Sequence, residues 1–285
     1  MMYDFSVETK SGNKLDFSNS SRYGLYQIDE LCPISASLNF TEIAGYDGAM
    51  YNSGRLSKRN LVLYIKLYPD VEENRNYLYQ FLAPKSKVRC YYKNGLRDVY
   101  IDGYVETCDV TPFTNNEVVQ ASIICPDPYW KDLSETEISF SSIEDGFEFP
   151  FSAPEEGLSL GEIKTETTAI IDSGGGGGFE FEFHIASDSV QRPMLYNLAN
   201  GQYFGLDETK TELKAGDVIQ VSTLSGEKHV YLIRDGVTTN ILGSMHGNST
   251  FIQLESGENE LELQALQGLD YITVIARIRR KYQGV

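Results

Sequence analysis

Histidine, cysteine and converging carboxylates carry most protein chemistry, and in this sequence they are scattered. His184, His229 and His246 are the only histidines, and none has a second His or Cys at the short spacing a metal site needs. Cys32, Cys90, Cys108 and Cys125 contain no Cys-x-x-Cys pair, so they read as reduced packing residues on strands, with a disulfide between aligned strands left open. No Gly-x-Ser-x-Gly elbow and no His-Glu-x-x-His motif occurs. The 41 acidic residues include many close pairs. A glycosidase needs two carboxylates converging in a cleft, whereas a chain this acidic keeps most of its carboxylates in water. Residues 174–178 are five glycines, but no Gly-Lys-Ser/Thr follows, so they read as a flexible hairpin tip and not a phosphate cradle. No enzymatic activity, cofactor or metal is expected. The binding chemistry that remains is aromatic. Tyr196, Tyr203 and Phe204 flank an Asn200-Gly201 turn, where rings on a β-sheet could stack on a sugar, although strand aromatics more commonly pack a core.

Something must position these residues, and composition bounds what it is. The chain has 285 residues, enough for one large or two ordinary domains, and is 41% hydrophobic with 19 Tyr and 14 Phe, residues that suit strands. Charge divides unevenly. Through Asp132 there are 14 basic and 17 acidic residues, net −3; beyond it there are 10 and 24, net −14. So acidic a second half repels phosphate and argues against nucleic-acid binding. No apolar run approaches the ~20 residues that cross a bilayer, and no basic-then-apolar leader opens the chain, so neither membrane insertion nor a signal peptide is expected.

Along the chain, residues 2–7 and 13–17 read as a hairpin, 23–28 as a strand, and Ile34, Ala36, Leu38 and Phe40 as an alternating strand. Residues 43–59 carry three glycines, show no period and end in Arg55, Lys58 and Arg59; they read as a long loop, with an interaction role as one reading. Residues 60–68 are apolar at nearly every position, as in a strand buried on both faces. One helix is expected between Pro69-Asp70 and Pro84, with Leu78, Phe81 and Leu82 on its apolar face. Strands over 88–92 and 97–106 flank Asn94-Gly95, a turn covers 111–116, and a strand covers 117–125.

Pro126 and Pro128 then force the chain out of the sheet, because proline donates no ladder hydrogen bond. Tyr129 and Trp130, the only tryptophan, follow as a clamp on the domain being left. Residues 133–182 hold 12 acidic residues against Lys164, yet Ile138, Phe140, Phe147, Phe149 and Phe151 alternate within them. Further strands are expected at 179–183, 194–198, 203–206, 218–221, 229–233, 250–254, 260–264 and 271–279, with turns between and no helix. That is the pattern of an antiparallel β-sandwich. The expectation is mainly β: a domain over 1–132 with one helix, a hinge at Pro126 to Trp130, and a sandwich over 133–285.

The order of parts resembles a known family. Gly45-Tyr46-Asp47, the basic end of that loop, the strand LVLYIKLY, one helix, and Ile101-Asp102-Gly103-Tyr104-Val105 lead to Cys125-Pro126-Asp127-Pro128-Tyr129-Trp130. Gly216-Asp217-Val218-Ile219, Asp235-Gly236, Phe251-Ile252-Gln253-Leu254 and Gly257-Glu258-Asn259 continue the likeness. The chain resembles the distal tail proteins of siphophages, the baseplate hubs of long-tailed phages. The glycine run and the acidic segment depart from that pattern. The resemblance implies a structural protein at the virion tail tip, made in the host cytoplasm. Its N-terminal domain, β-sandwich-like, would form a six-membered ring, and its C-terminal domain, similar to galectins and carbohydrate-binding modules, would hang outward. Implied partners are further copies in a homo-hexamer, the tail tube protein, the tail-associated tip protein, a receptor-binding protein and a host surface saccharide. Tyr46, Asp47, Tyr51, Arg55, Lys58 and Arg59 are the candidates for a clasp on a neighbouring copy. The alternative is a monomeric carbohydrate-binding or adhesin-like sandwich.

Overall fold

The computed structural model describes residues 3–18, 20–110, 118–141, 143–145, 161–163 and 167–285. The turn expected over 111–116, Phe147, Phe149, Phe151 and Lys164 lie outside these. In chain order come β1 (Asp4–Thr9), β2 (Lys14–Asp16), β3 (Tyr23–Asp29), β4 (Ala36–Glu42), β5 (Ala49–Leu56), β6 (Arg59–Leu67), α1 (Val71–Phe81), β7 (Lys87–Lys93), β8 (Asp98–Val110), β9 (Val118–Cys125) and β10 (Trp130–Asp132). There follow β11 (Thr136–Ser141), β12 (Ile143–Asp145), β13 (Gly161–Ile163), β14 (Thr167–Asp172), β15 (Glu180–Ile185), β16 (Gln191–Asn197) and β17 (Gln202–Gly205). Last come β18 (Val218–Ser222), β19 (His229–Arg234), β20 (Val237–Asn240), β21 (Glu258–Gln267), β22 (Ile272–Ile278) and β23 (Lys281–Tyr282). Two compact units result: Met1–Ser134 with Lys281–Val285, and Glu135–Arg280. The last five residues, expected in the second domain, thus belong to the first. Among the described residues no helix is long and apolar enough to cross a membrane.

The first unit is built on one antiparallel sheet in the order β2-β1-β7-β8-β9-β6-β3, with β10 added on β8 and β23 on β10. Its core face collects Val7, Leu61, Leu63, Ile65, Val88, Cys90, Ile101, Val119 and Ile123, all essentially inaccessible. The helix lays Asn74, Leu78 and Phe81 inward, at i, i+4 and i+7. Asp70 takes a left-handed conformation and makes no side-chain cap; the Asn74 amide instead donates to the Tyr68 and Pro69 carbonyls, at 3.3 and 3.1 Å. β6 corrects an expectation, since only its odd-numbered residues are buried. Val62 and Tyr64 face outward, half-shielded by β9 and β3, which is how a central strand tolerates apolar residues on both sides without a second layer.

The second unit packs a six-stranded sheet, β11-β22-β15-β18-β19-β20, against a four-stranded one, β14-β21-β16-β17. Phe179, Phe181 and Phe183 point inward, alternating with Glu180 and Glu182. Phe181 meets Phe204 of the opposite sheet edge to face, with centroids 5.5 Å apart. Two expectations fail here. Residues 250–254 form no strand; Leu254 alone pairs, with Gly177, and the Gln253 carbonyl is taken by the Asn197 and Asn200 amides. The glycine run is a packed seam and not a free tip. A Cβ on Gly178 would stand 2.3 Å from the Thr223 carbonyl oxygen, and one on Gly176 2.6 Å from that of Leu254.

Asp217, 1% exposed, is gripped by Arg234, whose Nε and Nη2 donate to its two oxygens at 2.7 and 2.6 Å; the Lys214 amide adds a third bond. Burial alone would raise its pKa, but these donors outweigh burial and hold it below the ordinary value. A depressed carboxyl pKa stabilises the fold above the unfolded value of about 4, and that stability fades as pH falls through the folded value. Asp217→Asn should cost the second unit about 2–3 kcal/mol at neutral pH. The gap between variant and parent in thermal midpoint should narrow below about pH 4.

Candidate assembly interface

Between β3 and β6 the chain leaves the first sheet and makes a separate two-stranded hairpin, β4 against β5. The loop reading of 43–59 is therefore corrected: 49–56 is a strand, and the turn is confined to 43–48, where Gly45 and Gly48 supply the positive φ it needs. Every residue of 36–55 is exposed, so nothing among the described residues covers this arm.

The arm is two-faced. Ala36 pairs with Leu56 and Leu38 with Gly54, but a bulge after Asn39 brings Tyr51, rather than Asn52, opposite Phe40. The extra residue reverses the alternation of β5 from there on. Ala36, Leu38, Phe40, Tyr51 and Leu56 share one face, while Ser37, Asn39, Thr41, Ser53 and Arg55 share the other, where Met50 opposite Thr41 is the one large apolar side chain. Contacts agree with this division. Phe40 and Tyr51 meet edge to face at 5.9 Å, and a Cβ on Gly54 would lie 2.8 Å from Leu38 and 2.9 Å from the Tyr51 hydroxyl, so both side chains cross that glycine. On the polar face the Asn52 amide donates to the Thr41 hydroxyl at 2.6 Å. Leu38, Phe40 and Tyr51 remain 53%, 52% and 59% exposed. A lone two-stranded hairpin is marginal in water, and an apolar stripe on it marks a surface made to be covered. Of the clasp candidates, Tyr46 and Asp47 stand exposed at the tip, Tyr51 on the apolar face and Arg55 on the polar one, and Lys58 is exposed at the root.

Arg59 is different. As the first residue of β6 it is fully buried, and its guanidinium donates to four carbonyls: Pro128 at 2.9 Å, Cys32 at 2.8 Å, Glu30 and Gln283. It cannot reach a neighbouring copy. Charge alone suggested an exposed role; the alternation of Arg59 with Leu61, Leu63 and Ile65 was the signal that it faces inward. Burial lowers its pKa.

The proline turn sits beside this node. β9 and β10 lie end to end along one edge of β8, opposite Tyr104 and Tyr100 respectively, and Pro126 to Tyr129 make the detour between them. Gly103 faces the detour. A Cβ there would fall 2.7 Å from Ile123, 2.9 Å from the Cys125 sulfur and 3.0 Å from the Ile124 carbonyl oxygen, which gives the Asp-Gly-Tyr motif its physical reason. Trp130 is inaccessible, 6.0 Å from the Tyr92 ring, and Tyr129 is half-buried. Gly103→Val should lower the stability of the first unit by about 2 kcal/mol through overpacking, read as a shift in its denaturant midpoint. The thiols nearby are inert: burial pushes Cys125 up to about 12 and Cys108 to about 11. Cys32, expected on a strand, is exposed between β3 and β4.

In the second unit the sugar candidates separate. Phe204 is a core residue and leaves the set, because β17 alternates and its neighbour Tyr203 takes the outward position. Tyr196 and Tyr203 stack 4.9 Å apart on the outer face of the four-stranded sheet, and the Tyr203 hydroxyl bonds His246 Nδ1 at 2.9 Å. His184 pairs with Glu182 at 3.0 Å, and His229 stacks on Tyr231. Among the described residues no group of three His, Cys, Asp or Glu could hold a metal ion.

Solved structures share the whole arrangement. The crystal structure of the Dit protein of phage SPP1, a paradigm of the hub adsorption apparatus in phages infecting Gram-positive hosts, superposes with a TM-score of 0.67 at 14% identity, covering 98% of this chain and 99% of that one. The chain has the Dit fold. Components of the phage P2 baseplate in its activated conformation, with calcium and with strontium, match at TM-scores of 0.57 and 0.53 with 14% and 12% identity, each over 100% of both chains. No protein-family model and no curated protein matches the sequence. The Dit likeness thus runs through both units, the first sheet with its one helix and the sandwich alike.

Proposed function

We propose that this chain is a distal tail protein, a structural and non-enzymatic hub at the virion tail tip, assembled in the host cytoplasm. Six first units would form a ring joining the tail tube protein to the tail-associated tip protein, with receptor-binding proteins as further partners. The end-to-end Dit likeness carries this reading. The arm supports it physically, because an apolar patch docking on a different patch of the next copy makes a head-to-tail contact, the class of contact from which rings are built when its rotation closes. Charge supports it as well: first units, with 15 basic and 17 acidic residues and so net −2, gather with little repulsion, whereas the net −15 of the second unit, 9 basic against 24 acidic, keeps its copies apart. Light scattering of the purified chain, alone and with the tail tube and tip proteins, tests this. The expected mass is about six times 32.0 kDa, with annular particles in negative stain; a single-chain mass in every mixture overturns it.

A second reading rests on the Tyr196–Tyr203 stack, whose outward rings and tethered His246 could receive a host saccharide whether or not a ring forms. Tyrosine fluorescence titrated with host wall saccharides, on the chain and on Tyr203→Ala, tests it; identical flat traces overturn it.

A further inference from the structure

The first unit is built from two pieces of sequence, and the second unit lies between them in the chain. The returning piece, residues 281–285, packs at the root of the arm. Tyr282 pairs with Trp130, and its hydroxyl donates to Asp132 at 3.1 Å. The Gln283 carbonyl accepts from Arg59, and the Gly284 carbonyl from Arg97, whose guanidinium also lies over the Tyr282 ring at 4.3 Å. The Val285 amide donates to the Leu31 carbonyl at 3.0 Å. Gly284 fits against the chain so closely that a Cβ would sit 2.7 Å from Pro33 Cδ and 3.1 Å from the Cys32 carbonyl carbon.

Residues 30–33 and 57–59 are the two roots of the hairpin arm. One root is held from below by Val285, by Gly284 and, through Glu30 and Cys32, by Arg59; the other root ends in Arg59 itself. The same guanidinium holds Pro128, in the segment through which the chain leaves for the second unit, and Gln283, in the segment through which it comes back. Both crossings and both arm roots therefore share one buried cation.

We propose that residues 281–285 serve as a built-in peptide ligand that sets the arm, so that the arm is held ready to dock only when the returning segment is seated. The seat is a peptide site of defined chemistry. Two arginines meet successive carbonyls, a backbone acceptor takes the final amide, and a glycine-only gap lies against proline. An extended segment with glycine just before the residue whose amide meets Leu31 satisfies it. The step from a set arm to a docked copy rests on the ring reading; the setting of the arm does not.

Gly284→Val in the full chain tests this by hydrogen exchange and light scattering together. Exchange at 30–33, 36–56 and 57–60 is expected to rise about tenfold or more. Strands β1 and β7, and β15, β18 and β22 of the second unit, should keep parent rates, while the assembled mass falls to one copy. Arg97→Gln, which withdraws a donor from Gly284 without adding bulk, should move the same segments by a smaller factor, so a misfolded valine variant does not end the test. Parent-like exchange in the arm roots while 281–285 itself exchanges freely would overturn the inference, as would an equal rise in β1 and β7. If the parent runs as a single copy alone and in every mixture with the tail proteins, the ring reading fails, and the exchange comparison still decides the seat.

Discussion

Serine at both Leu38 and Phe40 is expected to convert an assembling chain into a folded single copy. Both side chains are more than half exposed and touch little of their own unit beyond Gly54 and Tyr51, so their loss should change the stability of the isolated chain by no more than about 0.5 kcal/mol. Covered by a neighbour, each would bury most of a large apolar side chain, worth roughly 1.5–3 kcal/mol. Two together amount to about 3–6 kcal/mol per contact, a weakening of roughly two to four orders of magnitude at every interface of a ring. Ser37→Ala and Thr41→Ala, on the opposite face of the same hairpin, should leave the mass unchanged. Light scattering across a dilution series, with unfolding midpoints as the control for folding, measures both. An unchanged assembly in the double-serine chain would move the contact elsewhere on the first unit. Assembly lost only in mixtures with tail proteins would make the arm's occupant a different partner.

The asymmetry between the faces of this arm could not be read from the residues alone. Leu38 and Phe40 alternate visibly with polar neighbours, and β4 was legible for that reason. The partner strand contains glycine, serine and asparagine and no period, because a bulge reverses its alternation half-way and a strand exposed on both sides needs no continuous apolar row. Turn chemistry was more readable. Asn94-Gly95 and Asn200-Gly201 mark hairpins, and the proline pair marks the end of the first sheet. The glycine run shows the limit of such signals. Five glycines permit either a mobile tip or a backbone pressed against other backbone, and only the neighbours Thr223 and Leu254 decide for the second.

The same limit governs the candidate site. Tyr196 and Tyr203 could be placed on one surface from their hairpin register, but Phe204 sits one residue from Tyr203 and so on the opposite face. Arg59 falls within five residues of Arg55 and shares its charge with Arg55 and Lys58, but alternation with the apolar residues of β6 outweighs proximity in sequence. Its four acceptors come from positions 30, 32, 128 and 283, separations that no local pattern reveals.

That convergence makes Arg59→Met the most damaging single change in the first unit. Two effects oppose one another. Methionine removes a buried cation whose desolvation is itself unfavourable, and swapping a whole buried ion pair for apolar residues can be neutral on that account. Here, however, the acceptors are backbone carbonyls that stay in place. Four of them would lose a charged donor, at about 1–3 kcal/mol for each that finds no water, and the shorter side chain fills only part of the space. Relief of desolvation offsets part of this sum, which leaves a net loss of about 4 kcal/mol. For a unit of this size that is roughly 10–15 °C in midpoint. Scanning calorimetry should show the first unit's transition moving by that amount while the second unit's transition stays, since all four acceptors belong to the first. Arg59→Lys keeps the charge but has one ammonium to offer to four carbonyls facing different ways, so it should fall between parent and methionine. A midpoint within about 2 °C of the parent for Arg59→Met would mean that water replaces the guanidinium at little cost. The root of the arm would then be held by Val285 and Gly284 alone.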